Sequence, residues 1–335
     1  MIDRPDPSES DAEFRDRPER PRADYAPQGT DAGTGWWPTV KRTAKEFQED
    51  NLTDWAAALT YYGLLSLFPA LIAMVSLIGI FGDPKSTTES LTEIITEIGP
   101  ASAAETFEGP IRSITENSGT AGVALILGLA ASLWSASGYT GAFMRASNVI
   151  YETPEGRPFW KLRPLQLLVT LATIILVTLL AVSLVLTGPV VEAVAGPLGI
   201  GSTTVEVWDI AKWPVMAFVF LLMIAVLYYA SPNVKLRGFR WVTPGSLVAI
   251  VAWIVASALF ALYVSNFGSY DKTYGTLGGL IALLVWFWIS NLAILFGHQL
   301  NAERERSLEL AEGRPRAERE IQLEPRDEPK QQATT

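Results

Sequence analysis

Apolar residues along this chain gather into six blocks, separated by shorter charged or polar stretches. They lie near 57–81 ("AALTYYGLLSLFPALIAMVSLIGIF"), 121–143 ("AGVALILGLAASLWSASGYTGAF"), 165–188 ("LQLLVTLATIILVTLLAVSLVLTG"), 211–231 ("AKWPVMAFVFLLMIAVLYYAS"), 245–266 ("GSLVAIVAWIVASALFALYVSN") and 277–298 ("LGGLIALLVWFWISNLAILFGH"). A helix rises about 1.5 Å per residue, so about 20 apolar residues cross the hydrocarbon of a bilayer. The pattern predicts an all-α polytopic integral membrane protein with six transmembrane helices.

The segments between the blocks alternate in charge. Residues 82–120 carry seven acids (Asp83, Glu89, Glu93, Glu97, Glu105, Glu108, Glu116) against Lys85 and Arg112. Residues 144–164 carry Arg145, Arg157, Lys161 and Arg163 against Glu152 and Glu155. Residues 189–210 hold only acids, and 232–244 only the bases Lys235, Arg237 and Arg240. Because basic flanks stay on the cytoplasmic side, both termini are expected there and 82–120 outside. An even number of spans satisfies this alternation.

Within 82–120, "ESLTEIITEIG" sets Leu91, Ile94, Ile95 and Ile98 at helical spacing with acids opposite, and "ETFEGPIRSITEN" repeats the pattern more weakly. Short amphipathic external helices are expected there, capping the bundle or serving a ligand. Residues 1–45 and 306–335 are rich in Pro, Asp, Glu, Arg and Gly and have little to bury, so they read as disordered cytoplasmic tails around a membrane domain at 46–305. The first tail lacks the apolar core of a cleaved secretory signal.

Composition narrows the chemistry. There are no cysteines and a single histidine, His298, and the formal net charge is −9. Thiolate sites and disulfides are excluded, His-rich metal sites are disfavoured, and no basic face for nucleic acid is evident. The blocks hold no Asp, Glu, Lys or Arg away from their ends. Neither a catalytic triad nor a paired-carboxylate site can be assembled, so no enzyme, cofactor or metal site is expected.

Uncharged polarity remains. Tyr61, Tyr62 and Ser66 precede Pro69 in the first block, where proline removes a backbone bond and bends the helix, either for packing or to open a central cavity. Ser135 and Asn291 complete the candidate cavity lining. A buried Asn is costly unless bonded, so an interhelical bond is the competing role for Asn291. Ser132, Ser135, Gly138 and Gly141 form a small-residue row, and Gly275 and Gly279 a GxxxG, both suited to close helix packing. His298, Gln299 and Asn301 are read as polar residues at the cytoplasmic interface. Trp286 and Trp288 lie deeper than an interfacial belt would.

Four stretches together resemble one family: "AAALTYYGLLSLFPALIAMVSLIG", "LWSASGYTGAFMRASNVIYETPEGRPFWKLRPLQLLVT", "YYASPNVKLRGFRWVTPGSLVAIVAWIVAS" and "LYVSNFGSYDKTYGTLGGLIALLVWFWISNLAILFGHQLNAERER". They are similar, over about 50–306, to the YihY/BrkB family of bacterial inner-membrane proteins, once labelled ribonuclease BN. The resemblance implies a six-helix membrane protein of transport or envelope function, and the ribonuclease label is generally regarded as a misassignment. Pro69, Asn148, Pro154, Gly156, Pro232, Asn233, Pro244, Gly245, Tyr274, Gly275, Gly297 and Asn301 match the family pattern and look like kinks and structural turns. Where the family often reads Gly-Ala-Glu-Leu-Asn, this chain has Gly297-His298-Gln299-Leu300-Asn301, with an amide in place of the carboxylate.

The expected function is a permease or flippase-like transporter in the bacterial inner membrane. Its partners would be the bilayer, a lipid or small-molecule cargo and further copies of the chain, with no nucleic acid. The alternative is a non-transporting envelope scaffold, and a ribonuclease is the remote third reading.

Overall fold

A computed structural model describes residues 35–81, 121–185, 202–266, 276–314 and 316–328. Among them the chain forms seven helices: α1 (Trp36–Glu49), α2 (Leu52–Phe81), α3 (Ala121–Ile150), α4 (Phe159–Val185), α5 (Ser202–Ala230), α6 (Pro244–Asn266) and α7 (Thr276–Ala311). The one β feature among the described residues is an isolated antiparallel bridge between Val234 and Pro325. Helices α2 to α7 occupy the six apolar blocks. The expected external helices of 82–120, together with Tyr274 and Gly275, lie outside the described residues.

Phe159–Ser183, Ile210–Ala230, Pro244–Val264 and Gly278–Ala311 are long and apolar enough to cross a membrane. Their outward faces stay apolar: Leu168, Ile175 and Leu179 on α4, and Val251, Val255, Leu259 and Leu262 on α6, are exposed. Water would penalise such faces, whereas lipid does not. Proline falls inside α2, α4 and α5 at Pro69, Pro164 and Pro214.

The longest helix is α7, 36 residues long, and it packs against α6, α2 and α1. Its last turns leave the apolar layer and enter a charged end built from α1, the 151–158 and 231–243 connections, and the chain after Ala311. There α6 starts with a reciprocal cap. The Ser246 N–H donates to Thr243 Oγ1 (3.0 Å) and the Thr243 N–H to Ser246 Oγ (2.9 Å), with Pro244 at the first helical position.

The charged end departs from expectation twice. Residues 36–45, read as tail, belong to α1. Its Thr39 and Thr43 are buried one turn apart, and Thr39 Oγ1 shares a hydrogen bond with Ser307 Oγ at 2.8 Å. Arg42 Nε donates to Glu303 Oε2 at 2.9 Å, and Phe47 packs on Phe296. Residues 306–328, also read as tail, prolong α7 to Ala311 and then run as a strap beneath the bundle. The strap buries Ala317 and Ile321. The Ile321 N–H donates to Glu152 Oε2 (3.1 Å) and the Gln322 N–H to Glu309 Oε2 (2.9 Å). Arg326 donates to the carbonyls of Val234 (2.9 Å) and Tyr229 (2.6 Å). Composition counts apolar residues; it does not register backbone and guanidinium groups that find acceptors on distant loops.

Asn148, Pro154, Gly156 and Asn233 form one joint, with Pro232 buried just before Asn233. Asn148 Oδ1 accepts the Asn233 N–H (2.8 Å), and Asn233 Nδ2 donates to the carbonyls of Pro154 (3.0 Å) and Asp327 (2.9 Å). A Cβ on Gly156 would land on the Asp327 carbonyl, so glycine is required for the strap to seat. Arg157, almost fully buried, is gripped by both oxygens of Glu155 at 2.7 Å.

Candidate functional site

A cavity of about 330 Å³ lies among the six long helices. Helical spacing explains its walls. Gly63, Ser66 and Ala70 lie at i, i+3 and i+7 on α2, and Ala136, Tyr139 and Thr140 line one face of α3. Helix α4 presents Thr170, Thr173 and Ile174; α5 gives Phe220 and α6 gives Trp253. Helix α7 supplies Trp286, Ser290 and Ile294 at four-residue steps, flanked by Phe287 and Asn291.

Most of the polar atoms in this wall have partners. The Tyr139 hydroxyl donates to Asn291 Oδ1 at 2.8 Å, and Asn291 Nδ2 donates to Thr60 Oγ1 at 3.2 Å. Thr60 in turn donates to the Ala56 carbonyl, so one chain of bonds ties α3, α7 and α2. The Thr140 and Thr170 hydroxyls meet at 2.7 Å, and Ser66 Oγ donates to the Ala136 carbonyl at 3.2 Å. Trp253 Nε1 donates to Ser290 Oγ (3.0 Å) and Trp286 Nε1 to Ser257 Oγ (3.2 Å). The Thr173 hydroxyl is buried without a partner among the described residues. The described lining is thus aromatic and aliphatic with neutral polar groups, and Tyr139 is the only titratable side chain among the described lining residues.

Of the five residues expected to line a cavity, Ser66 and Asn291 do so. Tyr61 is 60% exposed and Ser135 also faces outward. Tyr62 lies beneath the Arg145 guanidinium, 5.5 Å from its ring centroid, and against Gly138. Tyr139, Thr140, Thr170, Thr173 and Trp253 were not singled out from sequence. Single hydroxyls and aromatics in an apolar block look alike until the neighbouring helix is known. Trp286 did carry a signal, since its depth argued against an interfacial role.

His298 and Gln299 are not at a wetted interface: both are buried. The His298 ring stacks on Tyr228 at 4.4 Å, with Phe143 and Tyr151 at 5.6 and 5.4 Å, and Nε2 lies 3.0 Å from Ser147 Oγ. This aromatic plug sits one turn beyond Ile294, between the cavity and the charged end. Asn301 clamps the start of α6, accepting the Gly245 N–H (2.9 Å) and donating to Thr243 Oγ1 (2.9 Å). Gly279 has no described residue within 4 Å of where a Cβ would stand.

The sequence model of the virulence factor BrkB family matches residues 43–321. The putative ribonuclease-like protein YfkH of Bacillus subtilis is 36% identical over 261 residues, covering 78% of this chain and 92% of its own. A UPF0761 membrane protein of Alteromonas mediterranea is 27% identical over 76% of this chain and 83% of its own. Another from Aeromonas salmonicida is 26% identical over 76% and 85%. No solved structure matches.

Proposed function

Starting from the virulence factor BrkB family, to which this chain belongs, we propose that the protein is a permease or flippase-like transporter. In this reading α2 to α7 all cross the bacterial inner membrane and both termini are cytoplasmic. The basic flanks of the charged end support that orientation. The cavity bounded by all six long helices is the single observation that carries the transport role.

Its lining suggests the cargo. Among the described lining residues there is no charge to recognise an ion, and most polar groups are spent on each other. The aromatic walls and the unpartnered Thr173 hydroxyl suit a mostly apolar molecule with one hydrogen-bonding group, such as part of a lipid or a small amphiphile. The ribonuclease-like name of the Bacillus relative does not transfer well. General acid–base cleavage needs a group titrating near neutrality, and the described lining of the cavity offers only a phenol.

Native mass spectrometry of the full chain, purified gently from its own membrane, tests this. A retained amphiphile, lost when Thr173→Phe fills the cavity, is the expected result. A bare mass for the wild type, or equal retention in the variant, would overturn it. A stoichiometric protein partner in place of the amphiphile would favour an envelope scaffold.

A further inference from the structure

A second recess opens at the charged end, between α5, the 236–243 loop and the last turns of α7. Its volume is about 60 Å³, roughly four waters' worth and so about the size of a phosphate group. Arg237, Arg240 and Arg304 line it together with Glu305, three bases against one acid. Arg237 is neutralised by Glu305 at 3.0 Å and Glu312 at 2.6 Å. Arg304 forms no ion pair or hydrogen bond with a described residue, and Arg240 has none within ion-pair distance, although Glu305 in the same recess offsets part of its charge. Two guanidinium groups therefore line one small hollow, with neutral donors on Thr243 and Tyr229 nearby.

The walls beside this hollow are greasy. Gly238, at φ +123°, turns the chain between Arg237 and Phe239, in a conformation that favours glycine. The loop then lays aromatic rings along the outside of α5. Phe239 meets Tyr229 edge-on at 5.3 Å, Trp241 meets Phe239 at 5.4 Å, and Phe218 stacks on Trp241 at 6.0 Å. Phe218 and Trp241 are 52% and 54% exposed, so this ladder faces outward along a helix whose surface is apolar. A soluble anion would have no use for the ladder. A molecule with an anionic head and a hydrocarbon chain would use both parts at once.

We propose that this recess holds the phosphate of an anionic membrane lipid, with its acyl chain lying along Phe239, Trp241 and Phe218. Arg240 and Arg304 supply the unpaired positive charge, and Tyr229 joins the head site to the chain track. The site is separate from the central cavity and does not depend on the transport reading.

The test uses the full chain in detergent, titrated with phosphatidylglycerol, phosphatidylcholine or inorganic phosphate and read by native mass spectrometry. Phosphatidylglycerol is expected to occupy one site at least about tenfold more tightly than phosphatidylcholine. The double variant Arg240→Gln/Arg304→Gln abolishes that preference, and Arg240→Lys with native Arg304 keeps most of it. Trp241→Ala weakens phosphatidylglycerol and leaves phosphate unchanged. Unaltered thermal melting of these surface variants excludes misfolding as the cause. Equal binding of the two lipids, or a preference surviving in the double variant, would overturn the proposal. So would phosphate binding that phosphatidylglycerol does not displace, since that defines a site for a soluble anion.

Discussion

Gly245 and Gly297 lie backbone against backbone where α6 crosses α7. A Cβ on either would strike the other's carbonyl oxygen; at Gly245 it would also come within 2.6 Å of Asn301, and at Gly297 within 2.8 Å of the Tyr228 hydroxyl. The Asn301 clamp on the first turn of α6 depends on that closeness. Neither carbonyl can yield without opening the helix pair, so overpacking here costs about 3 kcal/mol or more. Gly297→Ala and Gly245→Ala are expected to lower the melting temperature of the purified protein sharply. Gly279→Ala, with no described residue within 4 Å, should leave it unchanged.

Asn291 satisfies two hydroxyls on two other helices. Asn291→Leu leaves Tyr139 and Thr60 without their interhelical partner, at a cost of about 1–2 kcal/mol. Tyr139→Phe removes one bond and should cost less than about 1 kcal/mol, as single polar contacts between membrane helices usually do. Chemical unfolding in mixed micelles would rank them, and the reverse order would contradict the bonding chain described above.

Asp50 lies at the α1–α2 junction. Burial first, then the charges of Glu46 and Glu152, push its carboxyl up to about 7. In the unfolded chain it titrates near 3.8. Between these values the folded state holds the extra proton, so stability falls as pH rises through that window. Asp50→Asn should remove this slope. The variant and the wild type should melt alike near pH 4, and the variant should melt higher at pH 8. Parallel melting curves from pH 4 to 8 would refute the assignment.

The strap is held at Gly156, Asn233 and Arg326. Gly156→Ala displaces the Asp327 carbonyl, and Arg326→Ala removes its donations to Val234 and Tyr229. Both are expected to speed tryptic cleavage at Arg316 and Arg319 without altering cleavage before α1. Wild-type rates in both variants would show that the strap is held elsewhere.

Glu155 is the only carboxylate that chelates the buried Arg157 among the described residues. Glu155→Gln is expected to destabilise by about 2 kcal/mol, because it leaves a desolvated guanidinium with weaker partners. Thermal melting would check this, and Lys45→Gln, which breaks an exposed pair with Glu49, supplies a near-neutral contrast.

The six apolar blocks determined on their own where the long helices form, because a long apolar run satisfies its backbone polar groups internally as a helix. Pro154, Gly156, Asn233, Gly245 and Gly297, picked out by their match to a family pattern, each sit where a close approach or a joint is made. Pairings between helices were not legible. Tyr61 and Tyr139 are the same residue type in similar apolar runs, yet one faces outward and the other bonds Asn291, and only the packed neighbour decides which. His298 reads as an interfacial residue because charges follow it in sequence. Three aromatic rings from α5, α3 and the end of α3 close over it in space. The strap likewise seemed to have nothing to bury, since the acceptors that hold Arg326 and Ile321 lie far away in the chain. Sequence alone determined length, hydropathy and local turn chemistry. Tertiary structure decided which polar atoms meet, because hydrogen bonding and packing depend on distances between segments that no local pattern encodes.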